Sequence, residues 1–189
     1  MSRGVSGVTL QNFLIFEEIS PRKNEMFDNE VSEMAGASAD HGEIVQNIAI
    51  VVGNLLRKKR CRSLGTDSKV VIPATGSVYY PDGMIACPPN YVSRSQGLID
   101  NPSVVFEVIS KSTEDKDRGP KFRDYQTLET VREIIYLSSH EVFIELYVRG
   151  ADGAFTRSDR KAGDTVELLG GELSVPVDEL YEDVFETEA

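Results

Sequence analysis

The sequence predicts an α/β domain in which a mixed β-sheet packs against helices. Three observations carry that expectation: an amphipathic helical pattern over residues 40–59, a near-continuous β-branched run over 103–110 (SVVFEVIS), and the order of patterns along the chain. That order is helix, hairpin, helix, three strands, helix, strands, which suits one layered core. The 189 residues fit a single domain over 1–189, with a helix-hairpin extension over about 9–36, a core over about 38–175 and an acidic tail over 178–189.

Residues 9–19 read as a short amphipathic helix with Thr9 as its cap, and residues 24–36 as a hairpin turning near Asp28-Asn29. The helix at 40–59 has Ile44, Ile48, Val51 and Leu55 on one stripe, widened by Val52 and Leu56. Asp40 and Glu43 have the spacing of a capping box, and Arg57, Lys58, Lys59 and Arg60 fall at the end where the helix dipole favours cations. The period then changes to two. Strands are expected over 66–72, 78–87 and 103–110, the last covered on both faces. A helix follows at 118–129, then strands at 131–138 and 141–149 joined at Ser139-His140. Short strands fill 154–175, and 177–181 form a helical turn.

Composition narrows the function classes. Hydrophobic residues make up 40% and charged residues 27%, as in a globular protein with a real core. No apolar run approaches a membrane span, and residues 1–13 lack a signal-peptide core, so the expected location is the cytoplasm. Cys61 and Cys87 have no CxxC spacing, so neither zinc nor a disulfide is expected. The net charge of −11 argues against a general nucleic-acid coat but not against an acidic metal site. Part of the excess lies in the tail, read as a solvated end.

Three residues carry the chemistry. Glu107 interrupts the apolar run Val104–Ile109, where a carboxylate is costly unless it is paired or binds a metal; Mg²⁺ shared with a second carboxylate is one solution and a buried salt bridge another. Asp82, in Pro81-Asp82-Gly83, is either a turn residue or a carboxylate at a strand break that an adjacent strand brings beside Glu107. Pro120 belongs in a first helical turn, with Asp117 as a good cap, which puts Lys121 near that helix's start. Asp117, Lys121 and Tyr125 then share a face. Lys121 either faces the phosphate or forms a surface ion pair with Asp117. His41 reads as a packed, hydrogen-bonded histidine or a contact near the site. Glu43 is either a cap or an acidic residue aimed at the site.

These residues carry a resemblance. From Thr9 to Val184 the chain resembles the bacterial restriction endonuclease-like family known as Uma-two, a branch of the PD-(D/E)XK superfamily. The markers are Glu25 and Asp28, Met34-Ala35-Gly36, His41 with Ile44 and Asn47, and Pro81-Asp82. They continue with Glu107-Val108-Ile109-Ser110, Thr113, Asp117, Lys121 and Tyr125. The resemblance implies a restriction-endonuclease-like core, a divalent metal and a phosphodiester substrate; the first reading is a DNA endonuclease with Mg²⁺ or Mn²⁺ on Asp82 and Glu107. Glu25, whose role is not derivable from the residues, is marked only by this resemblance. The (D/E)xK lysine position is Ile109 here, so Lys121 would supply the lysine from the following helix. The competing reading is a nucleic-acid-binding or interaction module on the same fold. A homodimer is expected, since two-strand cleavage suits two symmetric sites and strand 141–149 is apolar on both faces.

Overall fold

The computed structural model describes residues 7–34, 36–110, 114 and 117–185. The family markers Ala35 and Thr113, residues 1–6, 111–112 and 115–116, and those beyond Phe185 lie outside the described residues.

Helix α1 (Leu10–Ile19) starts where Thr9 accepts a hydrogen bond from the Asn12 N–H, and it buries Phe13. The hairpin β1 (Asn24–Phe27) and β2 (Glu30–Glu33) turns through Asp28 and Asn29, whose φ values of 52° and 59° suit a tight left-handed turn. Helix α2 (Ala39–Leu55) buries Ile44, Ile48 and Val52; of the expected stripe Val51 is half-buried and Leu55 exposed, so the buried face runs through Val52 to Leu56. Its cap is not Asp40. Ser38 accepts from the His41 N–H, which leaves Glu43 outside any capping box. Nor does the helix reach 59: it is capped at Leu56, and the basic run lies beyond it.

The strands form two six-stranded sheets. Strands β3 (Arg62–Leu64), β6 (Gly83–Ala86), β9 (Val104–Ile109), β10 (Glu133–Ser138), β11 (Phe143–Arg149) and β12 (Phe155–Lys161) build the central sheet, in the order β12-β11-β10-β9-β6-β3. The second sheet contains β1, β2, β4 (Lys69–Val71), β5 (Val78–Tyr79), β7 (Tyr91–Ser93) and β8 (Leu98–Ile99), in the order β2-β1-β5-β4-β8-β7. The expected strand 78–87 is therefore two strands in two sheets, and the chain crosses between them at Tyr80-Pro81-Asp82. Strands β3, β7 and β8 carry no clear alternation and were not expected from the sequence.

Strand β9 is parallel to β10, antiparallel to β6, and buried along its length. Val104, Phe106 and Val108 pack with α2 on one face; Val105 and Ile109 pack toward the second sheet on the other. Each such side chain contributes about 1.5–3 kcal/mol through removal from water. Gly83 brings α2 close: a Cβ there would lie 3.3 Å from Ile48 Cγ2.

After β9, the π-helical turn Asp117–Lys121 runs into α3 (Phe122–Thr127), so the expected helix 118–129 is shorter and begins wider. Strands β13 (Thr165–Leu168) and β14 (Leu173–Pro176) form a small hairpin, followed by α4 (Val177–Leu180). The start of the acidic tail is not a solvated end. Leu180, Tyr181 and Val184 are buried against α2 and the central sheet, because apolar residues alternate with the acids. On β11, Ile144 and Leu146 pack into the α2 layer and Tyr147 into the cluster with Phe122 and Phe155, while Val148 is exposed.

Cys61 and Cys87 form a disulfide, against expectation. The register pairs Arg62 with Ala86, which sets the two cysteines side by side at the end of the β3–β6 ladder. Among the described residues no helix is long and apolar enough to cross a membrane.

Candidate active site

Strand β6 pairs with β9 only as far as Gly83 opposite Phe106. Beyond that point the Val108 N–H has no partner on β6. The carboxylate of Asp82 takes it, with Oδ2 accepting at 2.7 Å. Oδ1 lies 3.1 Å from His41 Nε2 on the first turn of α2. Asp82 is thus held where the chain passes between sheets, tied to the central strand and to the helix.

Glu107 follows one residue before Val108 and is 2% exposed. It points away from Phe106 and Val108, toward the second sheet and α3, as strand alternation requires. The Tyr125 hydroxyl donates to its Oε1 at 2.7 Å. Tyr125 is fixed in turn: it packs edge-on to Tyr79, whose hydroxyl donates to Asp124 Oδ2 at 2.8 Å.

Lys121 is neither exposed nor at a surface ion pair. The wide turn holding Pro120 sends both Asp117 and Lys121 inward. Lys121 Nζ lies 3.1 Å from Glu25 Oε1, 3.3 Å from Glu107 Oε1 and 3.1 Å from Asp117 Oδ1. Glu25 reaches it from β1 and also accepts the Tyr80 N–H at 3.1 Å. The Tyr136 hydroxyl donates to the Asp117 carbonyl at 2.9 Å, holding the turn against β10.

Six of these side chains, Glu25, His41, Asp82, Glu107, Asp117 and Lys121, line one open cleft of about 1180 Å³. Tyr125 supports it from beneath. Glu43 is exposed on α2 and does not line it. Lys23 and Tyr80 do, with the Lys23 ammonium 5.5 Å from the Tyr80 ring centre; no periodicity in the sequence marks either.

Carboxylates outnumber cations here, and the proton affinities show it. Burial pushes the Glu107 carboxyl well above its ordinary value. Asp117 and Asp82 add to that push, while Lys121 and the Tyr125 hydrogen bond oppose it. Burial works against the charge on Lys121, but Glu107, Glu25 and Asp117 overcome it and hold the ammonium protonated. Burial also works against a charged His41, and the Asp82 hydrogen bond and charge outweigh it, raising the imidazole.

The cleft is rich in carboxylates. Its donors are oxygens, and Mg²⁺ takes one or two carboxylates while keeping several waters. Asp82 and Glu107 supply that number, so the residues fit a hard divalent ion. Among the described residues no three His, Cys, Asp or Glu side chains form a ready-made cage.

The sequence model of the Uma2 family, described as "Putative restriction endonuclease", matches residues 10–178. An uncharacterized protein of Synechocystis sp., slr1290, is 33% identical over 171 residues, covering 90% of each chain. A second from the same organism, sll1609, is 29% identical over 146 residues, covering 77% of this chain and 82% of its own. A crystal structure described as a "putative nuclease belonging to DUF820", from Anabaena variabilis, superposes with a TM-score of 0.73. It covers 94% of this chain and 99% of its own at 12% identity, a likeness of fold.

Proposed function

The chain belongs to the Uma2 family of restriction endonuclease-like proteins, and from that membership we propose that it is a metal-dependent endonuclease hydrolysing phosphodiester bonds in DNA. One observation carries the reading: Asp82, Glu107 and Lys121 come from three separate elements and converge on one open cleft, where the buried ion-pair partner of Glu107 is Lys121 and, among the described residues, no arginine. Arg118, the nearest candidate in sequence, pairs with Glu145 instead.

In this reading Asp82 and Glu107 hold Mg²⁺ or Mn²⁺. The bound ion would polarise the phosphate and make a coordinated water more acidic. The chain's own groups do the rest. Tyr125 aims Glu107, while the Val108 N–H and His41 aim Asp82. Lys121, kept protonated by its three carboxylates, presents a fixed positive charge where negative charge grows on the phosphate. Cleavage of both strands suits two copies of the chain, and a cytoplasmic location suits a DNA substrate.

The test is nicking of supercoiled plasmid with Mg²⁺ or Mn²⁺ by wild type, Asp82→Asn and Glu107→Gln. Wild type should nick and both variants should lose at least about 100-fold, the scale of losing one essential electrostatic group. Equal cleavage by all three would sink the assignment. If wild type binds DNA but cleaves no substrate under any metal, a binding module becomes the better reading.

A further inference from the structure

The chain's positive charge is unevenly spread. Five of its 20 lysines and arginines, Arg57, Lys58, Lys59, Arg60 and Arg62, fall within six residues of a chain with net charge −11. They follow the capping residue of α2 and run into β3, and all five are exposed. Among the described residues none of them forms an ion pair. Lys59 Nζ reaches only the Glu172 carbonyl, at 3.5 Å, and Arg62 only the carbonyls of Lys59 and Cys61, at 2.7 and 2.9 Å. Cations at the cleft mouth are treated differently: Arg22 is paired with Glu33, and Lys23 with Asp67 at 2.7 Å.

The backbone adds an independent observation. Lys58 has φ 65°, the left-handed conformation that favours glycine after a helix end. A cationic side chain stands where the local conformation would prefer none.

The surface gives the path. The basic run borders a hollow of about 480 Å³ lined by Arg57, Lys58, Lys59 and Arg62. A second hollow of about 320 Å³ runs between α2 and β3 and shares Ser63 with the first. It shares Val45, Thr66 and Asp82 with the catalytic cleft. A groove therefore follows α2 from Asp82 to the basic run. Ala86, four strand residues beyond Asp82, sits opposite Arg62, and Ile48, nine helix residues before Arg57, sits over Gly83; each path spans roughly 13 Å, about four base pairs of duplex.

We infer that the basic run after α2 is a phosphate-backbone anchor for duplex DNA, contacting it about four base pairs from the bond held at the cleft. The inference rests on the nuclease reading of that cleft. Duplex DNA is favoured over a membrane surface or an acidic protein because the groove joins the cations to the cleft.

The test is fluorescence anisotropy of a labelled duplex of about 30 base pairs, in chelator, across a salt series, with wild type and the triple variant Arg57→Gln/Lys58→Gly/Arg60→Gln. The variant should lose at least tenfold in affinity at low salt, and its slope of log affinity against log salt should be shallower by about two to three. It should melt at or above the wild-type temperature, since Lys58→Gly suits the local φ. With Mn²⁺ it should show raised KM and unchanged kcat. Unchanged affinity and slope in the variant, with wild type cleaving normally, would overturn the anchor and leave the nuclease reading intact. Lost affinity in the variant, with wild type cleaving nothing, would uphold the anchor and remove the nuclease reading. Loss of binding to phosphatidylserine vesicles but not to the duplex would also overturn it.

Discussion

Lys121 Nζ sits 3.3 Å from Glu107 Oε1, in a pocket where both side chains are almost fully buried. Two further carboxylates, Glu25 and Asp117, complete the ring around the ammonium. This changes what removing the lysine should do. From the sequence, Lys121 looks partly exposed and nearly neutral for stability. In the fold, Lys121→Ala strips three buried carboxylates of their shared cation, and breaking a buried pair in this way costs about 3–5 kcal/mol. Urea unfolding at neutral pH should show that loss. It should shrink in acid, where the carboxylates take up protons. A variant as stable as wild type at both pH values would mean that the cluster is far more hydrated than its burial implies.

Glu107→Gln should separate stability from activity. Burial raises the Glu107 pKa in the folded state above its ordinary 4.5. The folded protein therefore binds this proton more readily than the unfolded chain. Ionising Glu107 disfavours folding progressively as pH rises from about 4.5 through the raised folded value. Glutamine keeps an acceptor for Tyr125 and removes the charge. Melting curves in chelator should show the variant gaining on wild type across that window, with metal-dependent cleavage lost. Parallel curves across it would show that Glu107 carries no raised pKa.

Much of this fold was legible because period and burial coincide in it. The helical pattern at Ile44 and Ile48 and the run around Glu107 are strong locally, and both are central in the core. The Asp28-Asn29 turn was legible from residues that tolerate positive φ. The site was legible in part, since an acid in an apolar run and a proline before a lysine each signal something locally. What stayed hidden depends on distant register. Nothing in Val78-Tyr79-Tyr80 reveals that the chain changes sheets at Asp82, because both strands flanking it are equally apolar. Glu25 lies in a four-residue strand, and its partner Lys121 comes from the other side of the fold. The depth of Lys121 follows from the π turn, which opens the helix start inward where a regular first turn would have faced water.

His41 and Asp82 should give a pH dependence of the same sign as that of Glu107, in a window that begins near 6.5 instead of 4.5. Although burial opposes it, Asp82 raises the folded pKa of His41 above its ordinary 6.5. The stability this pair contributes is fully present below 6.5 and is lost as pH rises through the raised folded value. His41→Asn removes it. The difference in melting temperature between wild type and variant, measured in chelator, should be largest in mild acid and should shrink at alkaline pH. A difference independent of pH would show that the imidazole is neutral throughout and acts only by packing.

The Cys61–Cys87 bridge should stabilise the fold without shaping the cleft. It closes a loop with a sequence separation of 26, which on chain-entropy grounds restricts the unfolded state by about 3–4 kcal/mol. The ladder next to it, Arg62 to Ala86 through Leu64 to Met84, holds β3 on β6 by ordinary sheet pairing. The bridge lies at the far end of that ladder from Gly83 and Asp82, so nothing at the Asp82 carboxylate depends on it. The paired substitution Cys61→Ser/Cys87→Ser should therefore lower the urea midpoint by an amount of that order and leave nicking per folded molecule unchanged. Reduction of wild type should reproduce the same shift, and the paired variant should not respond to reductant. Loss of activity in a variant that remains fully folded would show that the strand end carrying Cys87 communicates with Asp82, and that the bridge belongs to the working site.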